Sequence, residues 1–148
     1  MNSKSYLLQT DGGSRGNPGP AAAGWVIKQN SNNSFETIVK NSKYLGIKTN
    51  NFAEYTAIVE GLKECIEHKI TDLKVEMDSE LAVKQINGLY KIKNPQIKIF
   101  CEEIMLIKKQ FKNISFSHVY REYNKEADGM VNECLDKKKN ETHTSRSY

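Results

Sequence analysis

The sequence predicts an α/β fold in which a five-stranded mixed sheet is flanked by helices. Three β-prone runs come first and are joined by short, turn-rich loops. Each later β-prone run is reached through amphipathic helical segments, and no internal repeat or interdomain linker interrupts the order. A chain of 148 residues with 38% apolar residues is large enough for one domain with one core.

The three opening strands are predicted from apolar, β-prone segments that end at clusters of turn residues. The first covers residues 6–10 and stops at the Gly- and Pro-rich loop 11–20. The second covers about residues 22–28 and the third about 35–44, with a polar cluster between them. Because both connections are short, we expect an antiparallel meander, β1-β2-β3.

The remaining elements are predicted from the spacing of apolar residues, at intervals of 3.6 for helices and 2 for strands. Either Asn50 or Asn51 can cap the first helix, Ser79 can cap the second, and Pro95 suits the first turn of the third. Helical connections return later strands parallel to the first, so we expect a parallel set β1-β4-β5. In order, the predicted segments are a helix at 51–68, a strand at 73–78, a short helix at 79–88, a helix at 95–111, a strand at 114–120 and a final helix around 127–134.

Residues 1–137 are predicted to form the domain, and residues 138–148 a polar, disordered tail. Cys65, Cys101 and Cys134 fall on apolar helical faces without a Cys-x-x-Cys pair, so they are interpreted as buried thiols without chemistry. No apolar run is long enough for a membrane span or a signal peptide, which predicts a cytoplasmic protein without a membrane partner. The formal net charge of +4 permits polyanion binding but does not demonstrate it.

Four acidic residues stand at positions where α/β sheets form ligand sites. Asp11 and Asp78 follow predicted strands, while Glu54 and Asp128 fall in the first turns of predicted helices. Taken singly, such residues are commonly turn formers or partners of a helix dipole. Brought together, four carboxylates would repel one another unless cations compensated. Since no cluster of His or Cys is present, the pattern favours Mg²⁺ or Mn²⁺ over zinc.

Four segments resemble, in order, the motifs of the type 1 ribonuclease H family: residues 10–20 (TDGGSRGNPGP), 49–54 (TNNFAE), 77–79 (MDS) and 121–128 (REYNKEAD). The first motif is long and specific, and the chain is similar to free-standing members without a basic protrusion. The resemblance implies the ribonuclease H-like sheet and an endoribonuclease that hydrolyses the RNA strand of RNA–DNA hybrids. The implied products carry 5′-phosphate and 3′-hydroxyl ends.

The resemblance also implies a role for each carboxylate in a two-metal site that binds two Mg²⁺ ions, with Mn²⁺ as an alternative. Asp11 would bridge both ions, Asp128 would hold the ion that carries the attacking water, and Glu54 with Asp78 would hold the ion beside the leaving oxygen. The implied contacts with the hybrid are Gly12, Gly13, Ser14 and Asn51 on the RNA strand, and Asn17, Thr49 and Asn50 on the DNA strand.

The chain departs from the family pattern in three places. Residues 88–95 leave no room for the basic protrusion of several members, which predicts weaker or more salt-sensitive substrate binding. No histidine shortly precedes Asp128, and His118 is interpreted as a packed strand residue. Ile47 stands where some relatives place a phosphate-contacting Arg.

Two other functions stay open on the sequence. One is a non-catalytic module that binds RNA–DNA hybrids, although four negative charges in the groove would oppose phosphate binding. The other is a ribonuclease H domain acting beside a reverse transcriptase, which the chain's own Met1 disfavours. An interaction protein using the Lys-rich tail rests on composition alone. We expect a monomer without an obligate protein partner.

Overall fold

In the part of the chain that the structure describes, five strands and four α-helices follow one another in the order that the sequence predicts. The computed structural model describes residues 5–145, with side chains up to residue 141. A short 3₁₀ turn, Arg121–Tyr123, precedes the last helix. The elements are β1 (Tyr6–Ser14), β2 (Gly19–Ser31), β3 (Ser34–Lys48), α1 (Asn50–Glu67), β4 (Asp72–Met77), α2 (Glu80–Ile86), α3 (Pro95–Lys108), β5 (Asn113–His118) and α4 (Lys125–Ser145).

The strand order across the sheet is β3-β2-β1-β4-β5. The pairs β1–β2 and β2–β3 are antiparallel, and the pairs β1–β4 and β4–β5 are parallel. The predicted mixed sheet is therefore confirmed, because the helices between β3, β4 and β5 return the chain in one direction.

Helices cover both faces of the sheet. On one face, α1, α2 and α3 share a large core with strand residues such as Leu8, Trp25 and Val75. On the other face, α4 packs Val131 and Leu135 against Ala22, with Tyr44 and Cys134 at the edge of that smaller cluster. The two layers hold the ends of α1 and α4 at the same end of β1.

Strand β1 is longer than predicted and runs through the glycines to Ser14. Gly12 and Gly13 pair with Ala23 and Ala22 of β2, so the glycines continue the ladder and only residues 15–18 form the loop. Asp11 therefore lies inside β1 rather than after it. The parallel ladder with β4 nevertheless ends at Thr10 and Met77, so Asp11 lies immediately past the last parallel pair.

Other boundaries also differ from the prediction, among them the start of α1 and the turn between β2 and β3. Thr49, not Asn50 or Asn51, caps α1, because its hydroxyl accepts a hydrogen bond of 3.1 Å from the backbone N–H of Phe52. Glu54 consequently falls in the second turn of α1 rather than the first. Strands β2 and β3 extend to a two-residue turn at Asn32 and Asn33, whose positive φ angles of 52° and 65° suit a tight hairpin.

Helix α4 continues to Ser145, past the tail boundary predicted at residue 137. The Lys138 ammonium lies 5.1 Å from the centre of the Tyr44 ring and 3.9 Å from the Glu141 carboxylate. These contacts favour helix where composition alone predicts disorder. Residues 146–148 of the predicted tail lie outside the described residues.

All three cysteines lie in helices. Cys65 and Cys101 are buried in α1 and α3, and Cys134 is half-buried in α4. Burial raises the pKa of the Cys65 thiol to about 12, which suits a packing role. In the described part of the chain, none of the helices has the length and apolar character needed to cross a bilayer.

Candidate active site

An open cleft of about 480 Å³ lies at the end of the sheet where the parallel ladder stops, and all four predicted acids line it. Asp11 comes from β1, Glu54 from α1, Asp78 directly follows β4, and Asp128 lies in the first turn of α4. Four separate elements thus bring the four carboxylates together. The convergence agrees with the predicted site, while the role of each residue as a metal ligand stays a prediction.

The environment of Asp11 strongly favours its neutral form. Burial, then the charge of Asp78, then a hydrogen bond with Asp128 and the charge of that residue raise the pKa of Asp11 to about 8. A hydrogen bond from the backbone N–H of Gly12 opposes this shift without cancelling it. The cleft therefore contains more negative charge than its own donors can stabilise.

Glu54 is also poised to bind a proton. Burial raises the pKa of Glu54 to about 7; a hydrogen bond from the Ser79 hydroxyl opposes that rise and the charge of Asp78 adds to it. The Ser79 side chain also accepts a bond of 3.2 Å from the backbone N–H of Ala82 and so caps α2. One serine thereby joins the start of α2 to the carboxylate on α1.

A buried amide fixes the start of α4 beside β1. Asn124 is fully buried, and its Nδ2 atom donates a hydrogen bond of 2.9 Å to the backbone carbonyl of Thr10. Next to it, Gln9 Nε2 donates to the backbone carbonyl of Tyr123 at 3.1 Å and to Glu76 Oε1 at 3.0 Å. Because Thr10 precedes Asp11 and Asn124 precedes α4, this network sets the distance between Asp11 and Asp128.

Glu126 also fixes the start of α4, through contacts with β2 and β3. Its carboxylate accepts from Lys28 at 2.9 Å and from the Thr37 hydroxyl at 2.9 Å, with Lys40 at 3.8 Å. Burial would raise the pKa of Glu126, but the hydrogen bonds from Lys28 and Thr37, together with the charges of Lys28 and Lys40, outweigh it and lower the pKa. The ionised carboxylate thus anchors the first turn of α4 to β2 and β3.

The sequence did not predict the roles of Gln9 and Asn132, nor the buried contact of Asn124. Asn132, which lines the cleft, stands four residues after Asp128, and that helical spacing was a usable signal. Gln9 is a polar residue within an apolar strand, which also marks a position with a buried partner. The contact of Asn124 with Thr10 has no local signature, because it joins residues 114 positions apart.

The donor set suits a hard divalent cation, although the four carboxylates do not surround one common point closely enough to bind an ion there. The cleft lining contains four carboxylates and, among the described residues, no His or Cys. Among the side chains of residues 5–141, however, no three Asp, Glu, His or Cys residues form a group that could hold a metal ion. The raised pKa values of Asp11 and Glu54 show that added positive charge would stabilise their ionised forms.

The predicted substrate-binding residues divide into two groups. Gly12, Gly13, Ser14 and Asn50 line the cleft with the acids. Asn17, Thr49 and Asn51 do not. Asn17 Oδ1 accepts a bond of 3.1 Å from the backbone N–H of Asn50, and so braces the loop against α1. Contact of any of these residues with a hybrid stays a prediction.

The structure shows the surroundings of the three places at which the chain departs from the family pattern. The prediction that His118 is packed is wrong: its side chain is exposed at the end of β5 and meets the Tyr120 ring edge-on at 5.7 Å. Ile47 is 63% exposed near the end of β3, where it pairs with Pro20. Between α2 and α3, residues 87–94 contain no helix or strand that could form a protrusion.

Comparison with known proteins places these features in a family. A model of the family described as "Reverse transcriptase-like" matches residues 9–134. The chain is 34% identical over 130 residues to the bifunctional protein Rv2228c of Mycobacterium tuberculosis, covering 88% of this chain. It is 34% identical over 126 residues to ribonuclease HI of Halobacterium salinarum, covering 85% of this chain. The match spans 35% of the mycobacterial protein and 62% of the halobacterial one.

Solved structures agree with the sequence matches. The N-terminal RNase H domain of Rv2228c superposes with a TM-score of 0.86 at 33% identity, covering 95% of this chain and 99% of that one. RNase H1 from Halobacterium salinarum gives a TM-score of 0.84 at 33% identity over 90% of this chain and 98% of that one. LC11-RNase H1 in complex with RNA/DNA hybrid gives 0.80 at 40% identity, over 89% and 97%.

Proposed function

The chain belongs to the ribonuclease H family, and from that membership we propose that it is an endoribonuclease that hydrolyses the RNA strand of RNA–DNA hybrids. The observation that carries the proposal is the acidic cleft, in which four elements present four carboxylates. A groove built only to bind phosphates would be weakened by this charge, whereas a metal-dependent hydrolase requires it.

We infer that Asp11, Glu54, Asp78 and Asp128 hold two divalent cations, with Mg²⁺ as the physiological ion. When bound, such ions activate a water molecule and stabilise the charge on the departing oxygen, leaving 5′-phosphate and 3′-hydroxyl ends. Asp11 is the central ligand in this proposal, because its pKa responds to both Asp78 and Asp128. Ribonucleases H in general depend on divalent metal ions, which supports the assignment.

The chain's own residues supply the arrangement of this site. The Asn124–Thr10 and Gln9–Tyr123 hydrogen bonds position α4, and the Ser79 hydroxyl orients Glu54. Arg121 Nη2 lies 3.8 Å from Asp128 Oδ1, so a cation already neutralises part of the charge where no histidine is present. The hybrid complex of LC11-RNase H1, 40% identical, supports a hybrid as the substrate.

The test is cleavage of an end-labelled RNA–DNA hybrid, with single-stranded RNA, DNA duplex and RNA duplex as comparisons, in Mg²⁺, Mn²⁺ or EDTA. We expect internal cuts in the RNA of the hybrid, dependent on the metal and abolished by Asp11→Asn. Asp72→Asn is the matched control, because it removes a carboxylate at the opposite end of β4 from Asp78. That variant should retain wild-type rates.

Two outcomes would contradict the proposal. Binding of the hybrid without cleavage in either metal would support the non-catalytic module. Cleavage that Asp11→Asn leaves unchanged would place the chemistry outside this cleft. Activity that appears only when a polymerase is added would instead favour a domain that works beside a reverse transcriptase.

A further inference from the structure

One ion pair joins a residue that lines the acidic cleft to an aspartate outside the lining. Arg15 belongs to the loop between β1 and β2 and lines the cleft with the carboxylates. Its Nη2 atom lies 2.6 Å from Oδ1 of Asp136, which follows Asp128 by about two turns of α4. The pair therefore joins the loop after the first carboxylate to the helix that carries the last one.

The backbone at Arg15 is fixed while its side chain is accessible. The Arg15 N–H donates to the Pro20 carbonyl at 2.9 Å. The preceding Ser14 donates its N–H to Asn50 Oδ1 at 2.7 Å and its hydroxyl to the Lys48 carbonyl at 2.9 Å. By contrast, the Arg15 side chain is 40% exposed and its partner 63% exposed. Ion pairs between such exposed side chains are weak, so the guanidinium can change partner without moving the loop.

The charges that line the cleft indicate what the Arg15 guanidinium would bind after leaving Asp136. Among the described residues lining the cleft, four are acidic and two, Arg15 and Arg121, are cationic. Arg121 lies 3.8 Å from Asp128 and so faces the carboxylates directly. Arg15 faces Asp136, which is not one of the lining residues. A guanidinium binds a phosphate through two parallel hydrogen bonds, so a phosphate group in the cleft can compete with the Asp136 carboxylate for the same donor atoms.

We propose that Arg15 is a substrate-binding residue that exchanges Asp136 for a phosphate group of the bound hybrid. This inference rests on the proposed function, since it takes the hybrid as the ligand of the cleft. In the free protein, Asp136 holds the Arg15 guanidinium. When the hybrid binds, its phosphate competes with Asp136 for the same donor atoms. Asp136 is accordingly an intramolecular competitor of the substrate.

The two ends of the ion pair can be tested separately, because the proposal gives them opposite effects. Binding is measured in EDTA by the fluorescence anisotropy of a labelled RNA–DNA hybrid at several salt concentrations. Arg15→Gln should weaken binding and make the slope of log K against log salt shallower by about 0.9. Asp136→Asn should tighten binding about two- to five-fold, the range expected for release from one exposed ion pair.

A merely structural ion pair would behave differently, since either variant would break it and both would change binding in the same direction. The gain from Asp136→Asn should also disappear in the Arg15→Gln background, which excludes a general effect of removing negative charge. Glu133→Gln is the matched control, because it removes an exposed carboxylate from the same helix and should leave binding unchanged. Arg15→Lys, which keeps the charge but not the paired donors, should be intermediate.

Changes of the same sign in both single variants, or no change in either, would overturn the role of Arg15 and leave the proposed cleavage intact. If the variants behave as expected but the wild-type protein cuts no hybrid, the role of Arg15 holds and the proposed catalysis fails. If the wild-type protein binds no hybrid at low salt in EDTA and also cuts none in Mg²⁺ or Mn²⁺, both proposals fail. Thermal melts of each variant establish that the folded state is retained.

Discussion

Asp11 is a carboxylic acid whose surroundings oppose its ionisation. Its pKa of about 8 in the folded protein exceeds the value of 3.8 expected for an unperturbed side chain. Between these pH values the folded state retains a proton that the unfolded chain releases. The free energy of unfolding of the metal-free protein should therefore fall as the pH rises from about 4 to about 8.

Asp11→Asn should remove the part of this pH dependence that Asp11 contributes, because the amide does not ionise, and leave the smaller part that Glu54 contributes. In EDTA at pH 8, the variant should exceed the wild type in free energy of unfolding by at least about 1 kcal/mol. The difference should narrow as the pH falls towards 4. Urea unfolding followed at several pH values measures it, and a difference that is constant across this range would contradict the prediction.

At the scale of elements, the contact between β1 and α1 depends on one missing side chain. A Cβ atom on Gly12 would lie 2.2 Å from the backbone carbonyl carbon of Ala53 and 2.3 Å from the backbone nitrogen of Glu54. Gly12, which the family resemblance assigns to substrate contact, is therefore required for the packing of α1 against β1. It lets α1 approach closely enough to place Glu54 at the cleft.

Gly12→Ala should displace α1 and lower the free energy of unfolding by about 3 kcal/mol or more, since neither backbone can move aside. Gly129→Ala is the comparison, because Gly129 lies in α4 and, apart from the adjoining residues and backbone of its own helix, a Cβ atom there would meet nothing within 4 Å. That substitution should raise the free energy of unfolding by about 0.5–1 kcal/mol. Urea unfolding measures both, and a loss of under about 1 kcal/mol for Gly12→Ala would contradict the close contact.

Element type and order were predictable because the apolar spacing records which face of each segment is buried. The ends were not. Glycines that normally mark a turn are used in β1 to continue a ladder, and the pairing partner that shows this is in β2. Likewise, Thr49 became the cap because its extended backbone presents the hydroxyl to Phe52. The continuation of α4 past residue 137 places Lys138 over the Tyr44 ring, a contact between distant residues that no local pattern contains.

The residues of the candidate site were predictable from the sequence, but their arrangement was not. The four acids were predicted from their positions and from motif resemblance, because each stands beside a local signature. Their convergence could not be derived from spacing, since it depends on how α1 and α4 cross opposite faces of one sheet. The residues that fix the convergence, Asn124 above all, were missed because their partners lie on another element.

For the whole molecule, metal binding should appear as added stability, because an ion that binds only the folded protein shifts the unfolding equilibrium. Mg²⁺ at about 100 times its Kd should add about 2.7 kcal/mol. For a chain of this length that corresponds to a rise in Tm of about 5–10 °C. At a fixed Mg²⁺ concentration the rise should be larger at pH 8 than at pH 6, because protons then compete less for Asp11 and Glu54.

Differential scanning calorimetry with Mg²⁺ and with EDTA measures this shift. Asp11→Asn should lose most of it, whereas Asp72→Asn should retain it in full. An equal rise in Tm for wild type and Asp11→Asn would show that Mg²⁺ stabilises the protein somewhere other than the cleft.

The pairing of β1 on both of its edges determines where this chain can change its length. Asp11 is paired with Gly24, and the neighbouring Thr10 is paired with both Trp25 and Met77. Successive residues of a strand point to opposite faces, so deletion of one residue before Asp11 would turn its carboxylate to the other face of the sheet. The turn at residues 32–33 carries no such constraint. Insertions and deletions should therefore accumulate among descendants of this sequence at the hairpin turn, while the length of β1 stays fixed.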